Sequence, residues 1–412
     1  MTDPNRAVNR GRRPACPVCP RPLALLVTGA VLALAGCGDA ASAEWAGRVD
    51  TLASGQVVVT NPETGVWAEG EGWTLTEEAR IGTLDGDGPD MFGQIMSLAV
   101  DPAGRVYVLE GQAQEVRVFD ADGAHVRTFG RSGGGPGEFG RALRLDLGPD
   151  GNIWVADPQN NRLSVFDTAG TYLDGHTMAG GFTIIPWPGR FDDAGRYYYP
   201  VPLPSEGEFW IGLSVYDSTM TPVDTLTPPE DPVEREYFEM RQGDNGFFRS
   251  SIPFSGGFQT RLSPRGTYWG LVTDEYRLTE FGADGDTIRT TTRPYDPVPV
   301  TEADMEQARE NLSWFLEQGG EADWSKVPDV KPGARGFAFD DQGNVWVWPV
   351  TAGVREGSVL DVFDETGRYL GPVSTSVALA LQPAPVFVGD VVYGVTTSEL
   401  DVPYVVRLRL QR

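Results

Sequence analysis

From residue 95 to the C-terminus the chain is a succession of short apolar runs, each bounded by Gly, Pro, Asp or Asn. Runs of this length, rich in Val, Ile, Tyr, Phe and Trp and bracketed by turn-formers, read as β-strands. Six of them share one signature, a turn Gly or Asp followed by a strand with an aromatic three places on. They are Gly104-Arg-Val-Tyr107, Gly151-Asn-Ile-Trp154, Gly195-Arg-Tyr-Tyr198, Gly266-Thr-Tyr-Trp269, Gly343-Asn-Val-Trp346 and, more loosely, Asp390-Val-Val-Tyr393. The first two lie in a long common register. Arg80, Gly88-Pro89, Phe92, Gly104, Phe119-Asp120 and Gly123 recur 47 residues later as Arg127, Gly135-Pro136, Phe139, Gly151, Phe166-Asp167 and Gly170.

A period of this size with several strands per unit predicts a radial β array. The expected fold is an all-β, six-bladed β-propeller with four-stranded antiparallel blades. Its strands are expected at 95–100, 105–109, 116–120 and 125–129 in blade one, and at 144–147, 153–156, 163–167 and 172–174 in blade two. Blade three follows at 191–195, 197–200, 213–217 and 223–226, and blade four at 260–262, 268–272, 276–281 and 287–291. Blade five takes 336–339, 345–348, 360–363 and 369–373, and blade six 384–388, 391–395 and 404–408. Blade six runs out of chain after three strands. The strand at 73–81 sits where the repeat expects an outer strand, so the N-terminal segment is expected to close the ring, and 56–60 to add a further strand.

The aromatic spacings of 47, 44, 71, 77 and 47 residues locate two insertions, 228–257 and 293–332. The second contains the one convincing helix, about 301–318. Thr301 with Asp304 resembles a capping box, Met305, Ala308, Leu312 and Phe315 form one apolar stripe, and Gly319 suits the stop. The stripe predicts packing against the body of the protein, with a mobile lid as the sharper option.

The N-terminus reads as an export signal rather than as fold. Five arginines, at 6, 10, 12, 13 and 21, precede an apolar run of 13 residues, 23–35, too short to span a bilayer. The run ends in Leu34-Ala35-Gly36-Cys37, which resembles the lipobox of bacterial lipoproteins. That resemblance implies a signal peptide at 1–36, lipidation of Cys37, a tether at 37–47 and a propeller at 48–412. A di- or triacyl anchor holds a protein firmly, at about 0.8 kcal/mol per buried CH₂. Gly38 after the cysteine favours the outer membrane over the inner. Cys16 and Cys19 leave with the signal, so the mature chain keeps no free thiol for disulfides or catalysis.

Charge narrows the partners. Processing removes five Arg and one Asp, so the net charge falls from -25 to -29. Such a surface excludes nucleic acid and flat docking on anionic lipid, and admits cations or basic partners. With only His125 and His176 present, a multi-histidine zinc site is excluded, and a His-based triad has these two to draw on. Gly (51) and Pro (32) together fill one position in five, as a chain of many hairpins needs. Length alone suggests two or three domains, but six blades of 40–50 residues absorb most of the chain as one.

Blade two reads Arg127-Thr-Phe-Gly-Arg-Ser-Gly-Gly-Gly-Pro-Gly-Glu-Phe139, Gly151-Asn-Ile-Trp-Val-Ala-Asp157 and Asn161-Arg-Leu-Ser-Val-Phe-Asp167. This resembles an NHL repeat, and the chain resembles a six-bladed β-propeller lipoprotein of the NHL superfamily. Blades one and two carry the likeness strongly and blade five partly; the others match in rhythm. The motif residues have structural work to do, with Gly133–Gly137 crossing between blades and Asp157, Asn161 and Arg162 satisfying hairpin backbone.

Two functions stand open at this stage. The first is a non-catalytic binding or scaffold module of the cell envelope, monomeric, needing no cofactor and recognising a protein, peptide or glycan. Function on propellers lives in the loops, which directs attention to Tyr237, Phe238, Phe247, Phe248 and Trp314 in the insertions. The second is implied by the resemblance, since similar propellers include calcium-dependent lactonases and esterases and a metal-using lyase. Calcium in the central channel needs six to eight oxygens, and Asp101, Asp146 and Asp340 are the inner-strand candidates. No P-loop, nucleophile elbow or dinucleotide fingerprint is present, and the binding module is the expectation ahead of the enzyme.

Overall fold

The computed structural model of the protein describes residues 45–68, 70–178, 189–203, 210–242 and 246–412, the side chains of Trp210, Gln242 and Phe247 excepted. Cys37, the signal segment and most of the tether lie outside the described residues. The described residues belong to one compact unit.

The repeating signature is built at the first turn of each blade. Gly104, Gly151, Gly195, Gly266 and Gly343 all hold φ between 75° and 88°, a left-handed conformation that side chains resist. In three blades an Asp three places earlier staples the same turn. Asp101 Oδ1 accepts from Ala103 N and Arg105 N, both at 2.9 Å. Asp192 and Asp340 do the same for Ala194 and Arg196, and for Gln342 and Asn344. The other carboxylate oxygen accepts from the recurrent aromatic: Tyr107 Oη at 3.2 Å, Tyr198 Oη at 3.0 Å and Trp346 Nε1 at 3.1 Å. The six aromatics are Tyr or Trp, never Phe, and in these three blades the ring donates a hydrogen bond to its own turn. Blade two has Gly148 in place of the Asp, and Trp154 Nε1 is buried there with no partner among the described residues.

The strands follow in chain order. β1 (Arg48–Thr51), β2 (Val57–Thr60) and β3 (Thr74–Ile81) precede the blades. Blade one is β4 (Ile95–Val100), β5 (Val106–Glu110), β6 (Glu115–Phe119) and β7 (His125–Phe129). Blade two is β8 (Arg144–Leu147), β9 (Ile153–Asp157), β10 (Arg162–Phe166) and β11 (Tyr172–Thr177). Blade three is β12 (Arg190–Phe191), β13 (Tyr197–Leu203), β14 (Trp210–Tyr216) and β15 (Pro222–Leu226). A hairpin, β16 (Tyr237–Gln242) and β17 (Gly246–Ser251), interrupts the series. Blade four is β18 (Phe258–Leu262), β19 (Tyr268–Val272), β20 (Arg277–Phe281) and β21 (Thr287–Thr292). After the helices α1 (Glu302–Asn311) and α2 (Ser313–Glu317), blade five is β22 (Ala334–Phe339), β23 (Val345–Pro349), β24 (Val359–Phe363) and β25 (Tyr369–Thr375). Blade six is β26 (Val386–Val388), β27 (Val391–Thr397) and β28 (Pro403–Gln411), completed by β3.

The expected closure is present. β3 pairs antiparallel with β28, from Ile81 opposite Val405 to Thr74 opposite Gln411. It also meets the edge of β25 in parallel at Thr74 and Leu75. β2 adds in parallel to β21, so the N-terminal segment belts the outer edges of blades four, five and six. Asn61 pins the belt, donating to Gly367 O at 2.9 Å and accepting from Tyr369 N at 2.7 Å.

The apolar cores lie between blades rather than inside them. Tyr107 and Leu109 of blade one share a cluster with Leu145 and Val155 of blade two. The pattern continues round the ring until Val395 and Val405 of blade six meet Leu98 and Val106 of blade one. A single blade therefore cannot bury its own apolar faces.

Two features depart from the sequence reading. The helix expected over 301–318 is broken at Leu312, whose φ of -97° and ψ of 4° divide α1 from α2. The break lets Leu312 and Phe315 both point into one core while Trp314 stays at the surface. Insertion 228–257 contains the hairpin β16–β17. Its signal was present as the alternation Phe238, Met240 followed by Asn245-Gly246, a dipeptide favoured in tight hairpins.

Candidate functional site

In an antiparallel meander the chain leaves each blade at the same end at which it enters the next. Both insertions follow the outer strand of a blade, so both project from one end of the ring. There they pack on each other. Phe238, Met240 and Ile252 from the first insertion form a core with Leu312 and Phe315 from the second. Glu321 N donates to Glu239 O at 3.0 Å, Lys326 pairs with Glu236 at 3.1 Å, and Trp324 meets Phe238 edge-on with ring centroids 5.5 Å apart. The result is a knob assembled from two segments that are separated in sequence by all of blade four.

The knob sorts the aromatic candidates. Phe238 is 2% exposed and belongs to its core, so it supports the surface rather than presenting it. Tyr237 is half-buried, with the Arg249 guanidinium 5.5 Å from its ring centroid. Phe248 and Trp314 are each 43% exposed and meet edge-to-face at 5.4 Å, one from each insertion. The backbone of Phe247 lies in β17, and its side chain lies outside the described residues.

The knob's helix is set by the expected capping box. Thr301 Oγ1 accepts from Asp304 N at 3.2 Å, and Asp304 Oδ2 accepts from Thr301 N at 2.9 Å. Lys331, at the far end of the insertion, donates to Asp304 Oδ1 at 2.7 Å. That contact and the Thr301 bonds pull the Asp304 carboxyl from its ordinary 3.8 to about 2. The depressed value means that its stabilisation is present above pH 4 and is lost as the pH falls toward 2. Tryptophan fluorescence is expected to report loosening of the knob in that window. Asp304→Asn should remove the acid step, and an unchanged titration in that variant would refute the assignment.

The second candidate is the central channel, a cavity of about 310 Å³ lined by the inner strands of all six blades. Register identifies the inward positions. Ala99, Asp146, Arg190, Arg261 and Ala338 each stand five residues before their blade's turn glycine. Arg144, two places before Asp146, faces the same way on its strand. Thus three arginines of a strongly acidic chain line its axis. Asp193 and Asp341, two places before their glycines, mark the turn end of the channel.

Burial, with the charge of Arg144 beside it, lowers the Arg190 pKa to about 10. Arg261 is lowered to about 10 by burial and by both other arginines. Both remain cations at neutral pH. Burial raises the Asp193 carboxyl above its usual range.

The carboxylates proposed from sequence as channel ligands for calcium do not converge. Asp101 is a turn staple that also holds Arg105 at 2.6 Å. Asp340 lines the cavity, but its oxygens accept from two backbone amides, Asn344 and Trp346. Asp146 alone faces the axis from mid-strand, 3.3 Å from Arg144. Among the described residues no three His, Cys, Asp or Glu side chains come together as a set that could hold an ion. The three carboxylates therefore do not form a donor set that fits calcium. Among the described residues neither histidine has a carboxylate beside it in a triad-like arrangement. His125 is exposed and bonds Thr128 at 2.9 Å, and His176 stacks on Trp154 at 5.3 Å.

The blade-two motif residues are structural. Asp157 accepts from Gly140 N and Arg141 N at 2.8 and 2.9 Å, and Arg162 donates to the carbonyls of Gly135 and Glu138. Asn161 takes the left-handed turn position at φ 51°.

No protein-family model matches the chain, and no curated protein sequence matches it. Solved structures do resemble it in fold. A Bacteroides fragilis protein inferred to be exported is 11% identical over 86% of this chain and 100% of its own, with a TM-score of 0.47. Virginiamycin B lyase from Staphylococcus aureus is 9% identical over 82% and 100%, with a TM-score of 0.43. A gluconolactonase from Xanthomonas campestris is 11% identical over 82% and 97%, with a TM-score of 0.41. The likeness concerns the six-bladed propeller alone, a fold that carries lyases, lactonases and proteins of undetermined role.

Proposed function

We propose that this protein is a lipid-anchored, non-catalytic binding module of the bacterial cell envelope that captures a protein, peptide or glycan with the knob on one end of its propeller. One observation carries the reading: two insertions from different blades build a common core whose outer face holds Phe248 and Trp314 together in solvent. Adjacent exposed aromatics on a rigid support are what recognition surfaces use, because large rings add contact area at little entropic cost. The basic, apolar and Cys37-terminated N-terminus supports an envelope address.

The test is crosslinking in cells. Phe248→Ser with Trp314→Ser is expected to abolish partner capture while the purified protein still folds and melts cooperatively, since the two rings lie at the surface of the knob and its core is built by Phe238, Met240, Ile252, Leu312 and Phe315. Capture at the wild-type level by a folded double variant would overturn the reading.

A further inference from the structure

We propose that the central channel is a binding site for a small anion, its carboxylate or phosphate group held between Arg190 and Arg261 with Arg144 beside them. This inference stands apart from the knob and does not depend on it.

Arg190 and Arg261 occupy the same level of adjacent blades, five residues before Gly195 and Gly266. Arg190 is pinned. Its Nη1 donates to Leu262 O across the blade boundary at 3.0 Å, and its Nε to Phe191 O at 3.2 Å. Arg261 donates to the Thr260 carbonyl at 3.2 Å and, among the described residues, to nothing else. Neither guanidinium has a carboxylate within ion-pair distance among the described residues. The one mid-strand acid, Asp146, is engaged by Arg144.

Asp146, Asp193, Asp340 and Asp341 line the same cavity, and Asp146, Asp193 and Asp192 offset part of the charge on Arg190, but with neither guanidinium ion-paired among the described residues the two cations still repel each other. Deep in the channel, both still carry their protons at neutral pH. A bound anion removes the conflict, and the guanidinium fork matches a carboxylate or phosphate edge bidentately. The cavity of about 310 Å³ has the volume of roughly ten liquid waters. That suits a small metabolite-sized anion rather than a polymer. A chain of net charge -25 repels anions from its outer surface, and the cavity itself is lined by three arginines and four aspartates, so binding rests on the local pairing of Arg190 with Arg261 and not on a basic patch.

The experiment uses the full-length protein in detergent. Inorganic phosphate and malonate are titrated separately by calorimetry and thermal melting, with sodium chloride at matched ionic strength as the control. The expected result is saturable binding and a raised melting temperature with phosphate, malonate or both, absent with chloride. A phosphate-only response assigns a phosphate-bearing ligand, and a malonate-only response a carboxylate. Arg190→Gln with Arg261→Gln is expected to weaken binding by at least about tenfold in a protein that still folds and melts cooperatively in chloride.

A second measurement needs no variant. Phenylglyoxal, which modifies arginine, should label Arg190 and Arg261 in the wild type, and phosphate or malonate should protect both from labelling. No saturable response to either anion, or labelling that neither anion changes, would overturn the proposal. So would a folded double variant that binds as the wild type does. The Phe248→Ser, Trp314→Ser variant should bind these anions normally, which separates this proposal from the capture function.

Discussion

Removing β3 is expected to prevent the ring from closing. The strand covers β28 from Val405 to Gln411 and touches β25 at its start. Leu75, 1% exposed, enters the cluster that joins blades five and six, and Ile81 enters the cluster that joins blades six and one. Without β3 the last blade keeps three strands and exposes a long apolar edge, the kind of edge that aggregates. A chain lacking residues 45–81 is therefore expected to be aggregated or to melt without cooperativity. The graded version is Leu75→Ala, expected to cost about 2–5 kcal/mol because its neighbours are held by the rest of the ring and cannot collapse into the cavity. Denaturant titration with size-exclusion chromatography reads both variants. A monomeric, sharply melting protein without β3 would show that the blades close without it.

Arg293→Met is expected to destabilise the fold by about 3–5 kcal/mol. Arg293 lies where the chain leaves blade four for the knob. Its Nη1 is 2.9 Å from Asp361 Oδ2, and its guanidinium lies 4.2 Å from the Tyr369 ring centroid. Asp361 is 2% exposed and also accepts from the hydroxyls of Tyr276 and Tyr369. Burial and the Asp361 charge push both phenols well above their usual range, so they stay neutral donors. Losing the arginine leaves a carboxylate buried against two neutral hydroxyls, and that uncompensated charge is the main cost. Adding Asp361→Asn should therefore restore a large part of the loss, since the amide oxygen still accepts from a tyrosine. Equal stabilities of the single and double variants, measured by urea unfolding, would show that lost packing and not stranded charge sets the effect.

The propeller was legible because its causes are local and repeated. Each blade must reverse its chain after the inner strand. Glycine at positive φ does so in five blades, and in three of them Asp staples the turn and Tyr or Trp bonds back to the Asp. Such a pattern shows in a single sequence because every member lies within about six residues of the others. The shortfall of one strand in blade six then required an N-terminal partner, and Thr74–Ile81 was in phase with the repeat.

The channel and the knob were not legible in the same way. Arg144, Arg190 and Arg261 are ordinary strand residues until the register relative to each turn glycine is known, and their convergence depends on the ring being closed. The turn aspartates looked like channel ligands because the sequence shows their position but not that backbone amides already occupy their oxygens. The two insertions were located by spacing alone, yet nothing in either indicates that Phe238 and Met240 would pack against Leu312 and Phe315.

By itself, then, the sequence determined the number of blades, the turns between strands and the strand that closes the circle, since each follows from backbone conformation and short-range periodicity. Only the tertiary structure decided which charges meet on the axis and which aromatics share a surface. Those meetings join residues of separate blades, and pairwise proximity across a closed ring is a property of the whole that no local segment carries.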